Sequence, residues 1–161
     1  MRSGLAGRAL DQETYGTMPV TTLDVRPTGV EREPRSGAGN RTALIVDDDA
    51  GVRDLLRFIL EGEGLVVETA ENGYQGLARA LYRRPSLVLL DLNIAYLSGE
   101  IVARELRATY GESLPIILVS GNGDVEEVAD RIGADAYLAK PFSWNGVLGA
   151  VRRALAPVGA R

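Results

Sequence analysis

From Thr42 onward, short apolar runs alternate with segments of helical period, five of each. The runs are "TALIV", "LVVETA", "SLVLL", "PIILVS" and "DAYLA". After the first run, Val52, Leu55, Leu56, Ile59 and Leu60 recur at the i, i+3, i+4, i+7, i+8 spacing of an amphipathic helix. Asp49 stands where an N-cap belongs, and "EGEG" ends the segment. Tyr74, Leu77, Ala78 and Leu81 mark a second helix, closed before Pro85; Ile101, Val102 and Leu106 mark a third. A short fourth helix is expected over Asp124–Ile132, and Val147, Leu148, Val151 and Leu155 form the stripe of a fifth. Strict alternation of this kind requires right-handed crossovers and a parallel sheet with helices on both faces. "TALIV" and "SLVLL" are almost wholly apolar, as central strands buried on both sides should be.

The expected fold is therefore α/β, a flavodoxin-like (βα)5 doubly wound five-stranded parallel sheet of order 2-1-3-4-5, with its site at the carboxyl ends of the strands. That domain spans residues 42–157. Residues 1–41 have another character: "TMPVTTLDVRPTGVEREPRSGAGNR" mixes Pro, Gly, Thr and both charges with no strand or helix period. Such a segment is expected to be a flexible, disordered N-terminal extension. Residues 158–161 are read as a short tail.

Composition narrows the chemistry. There is no cysteine, which removes disulfides and thiol catalysis. There is no histidine, which removes the commonest general base and transition-metal ligand. Any metal is then expected to be a hard cation on oxygen. No apolar run is long enough for a transmembrane helix, and the first ten residues do not resemble a secretory leader. A net charge of −4 gives no electrostatic footprint for nucleic acid. Of 18 basic residues, Lys140 is the only lysine; the rest are arginine.

The strand ends carry the chemical signal. The first ends in Asp47 and Asp48, the third in Asp91, the fourth in Ser120, and the fifth near Lys140. A parallel sheet gathers these on one rim, bringing together three carboxylates, a hydroxyl and an ammonium. Clustered carboxylates raise one another's pKa, and a divalent cation relieves the repulsion. With oxygen ligands only, Mg²⁺ is the natural candidate, with Mn²⁺ as the alternative. The set suits a phosphoryl group, whose transfer depends on charge neutralisation, and an Asp can form an aspartyl phosphate. Singly, each motif fits a turn, a cap or a surface dipeptide; four strand ends in the right order do not.

"LIVDDD", "LVLLDLN", "IILVSGNGD" and "GADAYLAKPF" together resemble the receiver domain of two-component response regulators, over roughly Thr42 to Ala156. The resemblance implies that Asp91 is the phosphoacceptor, loaded from the phosphohistidine of a sensor histidine kinase or from a phosphotransfer protein. It implies an Mg²⁺ site made by Asp47, Asp48, Asp91 and the backbone carbonyl of Asn93. Ser120 matches the switch hydroxyl, Tyr137 the switch aromatic, Lys140 the phosphoryl-pairing lysine and Pro141 its cis-proline. Gly121 should leave the phosphoryl group open to small donors and water, and Asn93 and Asn122 flank it where they could position attacking water. Lys140 must fit beside three carboxylates and reach a phosphoryl oxygen, which suits a compact ammonium better than a guanidinium fork.

Ala95 stands where the family often has proline, so "NIAYLSGE" is expected to expose Tyr96 and Leu97. The stretch from Ser120 to Lys140 is about half a helical turn short of the family pattern, so the fourth helix should be short or skewed. The expectation is a cytoplasmic stand-alone receiver with an unknown protein target and no output domain. It binds neither DNA nor membrane, and is a monomer or a phosphorylation-dependent dimer. It is not an enzyme beyond gain and loss of its own phosphoryl group. Two other readings are weaker. A phosphatase of the haloacid dehalogenase type wants "DxDxT" on the first strand, where this chain has "DDDAG". A pseudo-receiver usually lacks one of the five key residues, all of which are here.

Overall fold

The computed structural model describes residues 41–156. The expectations for residues 1–40 and for the tail from 157 lie outside these residues. The described elements are β1 (Thr42–Val46), α1 (Ala50–Gly62), β2 (Val66–Ala70), α2 (Gly73–Tyr82), β3 (Leu87–Asp91), α3 (Gly99–Tyr110), a 3₁₀ turn (Gly111–Ser113), β4 (Ile116–Ser120), α4 (Val125–Ile132), β5 (Ala136–Ala139) and α5 (Trp144–Ala154). The strands form one parallel sheet of order β2-β1-β3-β4-β5, the flavodoxin-like arrangement expected.

The sheet divides the core in two. Leu44, Val46, Val88, Leu90, Ile116 and Leu118 face α2, α3 and α4. Ala43, Ile45, Leu87, Leu89, Ile117 and Val119 face α1 and α5. Period-two alternation along a strand assigns these faces. Fully burying one such aliphatic side chain is worth about 1.5–3 kcal/mol. The three central strands, buried throughout β3 and β4, therefore form the rigid base from which the site residues project. The register sets their heights: Asp91 lies opposite Val119, and Ser120 opposite Ala139.

Three helix stripes differ from the sequence expectation. In α1, Leu56, Ile59 and Leu60 are buried but Leu55 is 46% exposed. In α3 the core side is Val102, Ala103 and Leu106, with Ile101 outside. In α2 the phase is wrong: Tyr74 (62% exposed), Ala78 and Leu81 face outward, while Gly73, Gly76 and Ala80 are buried and Leu77 is partly so. The reason is steric. A Cβ on Gly76 would lie 2.7 Å from both methyls of Val46, so α2 packs against β1 through its small residues. A pattern read from large apolar residues then selects the opposite face. The fourth helix is short, as expected, with eight residues ending on Gly133 in the left-handed region at φ 70°. Arg131 of α4 reaches Glu100 of α3 and ties the two helices, and Arg104 pairs with the same carboxylate within α3.

Candidate functional site

The three consecutive aspartates after β1 have three different environments. Asp49 is the N-cap of α1: its Oδ1 accepts from the N–H groups of Gly51 (2.8 Å) and Val52 (3.2 Å). Asp48 is exposed on the rim. Asp47 is buried, with Oδ1 accepting from the Asp49 N–H (2.9 Å) and Oδ2 from Lys140 Nζ (2.8 Å). The run thus holds a helix cap at Asp49 and, beside it, a buried carboxylate at Asp47 and an exposed one at Asp48.

Asp91 closes β3 and is also buried. Its Oδ1 accepts from the Asn93 N–H (2.9 Å) and its Oδ2 from Lys140 Nζ (2.7 Å). Lys140 comes from the far end of the sheet. Its N–H donates to the Ser120 carbonyl (2.7 Å), continuing the β4–β5 ladder, and the Lys140–Pro141 peptide is cis, as expected. One lysine, its side chain 24% exposed, thus bridges two carboxylates at the ends of β1 and β3.

The electrostatics follow from this geometry. Burial pushes the Asp47 carboxyl above the ordinary carboxylate range, more than the bonds from Lys140 and the Asp49 N–H pull it down; the Asp91 charge adds to the rise. Burial acts to lower the Lys140 pKa, but hydrogen bonds to Asp47 and Asp91, with their charges, hold it above its usual value. The ammonium is therefore a fixed positive charge at neutral pH.

Oxygens of Asp47, Asp48 and Asp91 lie within 4.8 Å of one another, one from each side chain. All are hard donors, and each hydrogen-bonded carboxylate oxygen retains a further lone-pair site. This donor set fits a small hard cation of the Mg²⁺ type.

The other expected residues lie around the cluster. Ser120 is fully buried at the end of β4, and its Oγ accepts from Asn93 Nδ2 (3.2 Å) and the Asn122 N–H (3.1 Å). Asn122 Nδ2 reaches Asn93 Oδ1 (3.5 Å). A Cβ on Gly121 would meet nothing within 4 Å, so the space over Ser120 is open on that side. Tyr137 is not in the cluster. It is 39% exposed, and the Glu126 carboxylate beside its hydroxyl, with burial and the charges of Glu126 and Asp130, raises the phenol pKa. Tyr96 is exposed and holds φ 68°, a left-handed conformation uncommon for a non-glycine residue, in the loop between β3 and α3.

Two contributors were not anticipated. A Cβ on Gly99 would lie 2.0 Å from the Asp91 carbonyl oxygen, so α3 can start where it does only with glycine there. Arg53, one turn into α1, donates to the Asp47 carbonyl (2.8 Å) and adds a cation behind the acidic pair. A single sequence offers little sign of either: "SGE" reads as an ordinary helix start, and Arg53 as one of many surface arginines.

The sequence matches the response regulator receiver domain family over residues 43–152. Response regulator MprA of Mycobacterium sp. (strain KMS) is 40% identical over 114 residues, 70% of this chain and 49% of that protein. DNA-binding response regulator MtrA of Mycobacterium leprae is 38% identical over 114 residues, covering 70% and 50%. The chain thus spans about half the length of the curated relatives it matches. Among solved structures, a putative response regulator from Chloroflexus aurantiacus aligns with a TM-score of 0.69 at 28% identity, over 76% of this chain and all of that one. The Vibrio cholerae chemotaxis protein CheY4 aligns with a TM-score of 0.67 at 26% identity, over 73% and 100%.

Proposed function

The chain belongs to the response regulator receiver family of two-component systems, and from that premise we propose that Asp91 is its phosphoacceptor. The observation that carries this reading is the pair of hydrogen bonds that Lys140 Nζ donates, one to Asp47 and one to Asp91. Asp91 is thereby a buried carboxylate held beside a fixed cation at an acidic rim. The donor is the phosphohistidine of a sensor kinase or phosphotransfer protein, or a small acyl phosphate. In the transfer, an Asp91 carboxylate oxygen forms the new O–P bond. The bond from phosphorus to the donor's leaving atom breaks, and that atom keeps the electron pair.

Asp47, Asp48, Asp91 and the Asn93 carbonyl would hold Mg²⁺, which supplies charge neutralisation for the cluster and the phosphoryl oxygens. Lys140 shifts from bridging two carboxylates to pairing with a phosphoryl oxygen. The Ser120 hydroxyl donates to another, and Tyr137 follows it inward from its outer position. Gain and hydrolytic loss of this phosphoryl group is the only chemistry proposed. The output is docking to a target protein or onward relay of the group, in the cytoplasm. Among the described residues, no helix is long and apolar enough to cross a membrane.

The test is intact-protein mass after incubation with acetyl phosphate and Mg²⁺. One added phosphoryl group is expected on the parent protein and none on Asp91→Asn. Undiminished labelling of the variant, or no labelling of the parent, would overturn the assignment.

A further inference from the structure

The side chain of Asn93 does something that a metal-binding backbone carbonyl does not require. Its Nδ2 donates to Ser120 Oγ (3.2 Å) across 27 residues of sequence, linking the loop after β3 to the end of β4. The Asn122 N–H donates to the same oxygen (3.1 Å). A serine hydroxyl has two acceptor sites and one proton to donate. Both acceptor sites are therefore taken, and the buried hydroxyl is left with donation alone. The Asn122 side chain adds the third contact, Nδ2 to Asn93 Oδ1 (3.5 Å). With a donor on its oxygen, the Asn93 amide is held with its nitrogen toward Ser120 rather than flipped.

We propose that Asn93 is a positioning residue for Ser120: its amide, steadied by Asn122, is a latch that holds the hydroxyl in its resting place, and the latch opens when a phosphoryl group captures Ser120. The inference rests on the proposed role of Ser120 in phosphoryl binding. Two donors fix the Ser120 oxygen, so any displacement of the hydroxyl on capture is made against both bonds. The backbone N–H of Asn122 remains whatever its side chain, so the contacts open to substitution are those made by the two amide side chains.

Two measurements test the latch in the full chain. The first needs no phosphorylation. In the unphosphorylated protein, the Asn93 side-chain amide proton resonance should move upfield in Ser120→Ala; no movement would show that the bond is absent and would overturn the proposal. The second titrates acetyl phosphate in Mg²⁺ and reads the phosphorylated fraction. Loss of one neutral hydrogen bond should lower the half-maximal concentration roughly two- to tenfold in Asn93→Ala. The same substitution placed in the Ser120→Ala background should leave the concentration unchanged, because the residue acts through the hydroxyl. An equal shift in both backgrounds would assign Asn93 a direct role at the phosphoryl group or metal, and overturn the latch. No shift, or a rise, in the first background would do the same. If the parent takes no phosphoryl group at all, the phosphoacceptor assignment fails while the resonance still decides the latch.

Discussion

Replacing Lys140 with methionine removes the ammonium while keeping most of its apolar stem. In the parent, Nζ makes two charge-assisted bonds, at 2.8 Å to Asp47 and 2.7 Å to Asp91, both carboxylates being buried. Each such bond is worth about 1.5–3 kcal/mol, and a lysine fixed in this way gives up about 1.5–2 kcal/mol of rotamer freedom. Two bonds less the rotamer cost leave about 1–4.5 kcal/mol, and because the Lys140 side chain keeps some contact with water the net cost of its loss is at the low end, about 1–2 kcal/mol. Without the cation, the Asp47 carboxyl loses the bond that pulls its pKa down while burial and the Asp91 charge still push it up, so it should take up a proton more readily. The variant then binds more protons folded than unfolded, so its stability falls as pH rises from the carboxylate range toward neutrality. The deficit against the parent should therefore be smallest in mild acid and largest near neutral pH. Mg²⁺ should shrink it, since a metal ion supplies the missing positive charge. Urea unfolding followed by far-UV circular dichroism, in chelator and in excess Mg²⁺, reads all three effects. A neutral-pH deficit below about 0.5 kcal/mol in chelator, the scale of an ordinary surface change, would refute the reasoning. A deficit that Mg²⁺ leaves untouched would refute it equally.

Gly99→Ala drives a Cβ to within 2.0 Å of the Asp91 carbonyl; it should cost at least about 1–3 kcal/mol in urea unfolding and slow phosphoryl gain, because the start of α3 must back away from the phosphoacceptor. Gly121→Val meets open space, so stability should stay within about 0.5 kcal/mol, while the phosphorylated form decays more slowly in a time course of intact mass as the new side chain screens the site. The Tyr137 phenol, whose pKa is raised by the neighbouring Glu126 carboxylate, should titrate above the ordinary tyrosine range. In Glu126→Gln the midpoint should fall back toward that range, as followed by the Tyr137 ring resonances through an alkaline titration.

How much of this was legible in the sequence depends on which physical signal carried it. Continuous apolar runs and their alternation with helical segments identify buried parallel strands, and from them the sheet order and the rim follow. Asp47, Asp91, Ser120 and Lys140 are legible because each ends a strand or directly follows one, and a strand end has one address in this topology. The phase of α2 was not legible, because Gly73, Gly76 and Ala80 make their contacts through what they lack, and hydrophobicity does not register the absence of a side chain. Gly99 leaves no hydrophobic signal for the same reason. The bond from Asn93 to Ser120 could not be read either. It joins residues far apart in sequence and depends on which way an amide faces. Tyr137 was legible as an aromatic near the site, but its outward placement beside Glu126 is a tertiary fact.

The central claim is that Asp91 carries the phosphoryl group. Borohydride reduces an acyl phosphate to the alcohol, converting a phosphorylated aspartate to homoserine at the residue that bore it. Protein loaded with acetyl phosphate in Mg²⁺, quenched with borohydride and peptide-mapped should contain homoserine at position 91 and at no other aspartate. Homoserine at Asp47 or Asp48, or a phosphate recovered on Ser120 with Asp91 unchanged, would contradict the account.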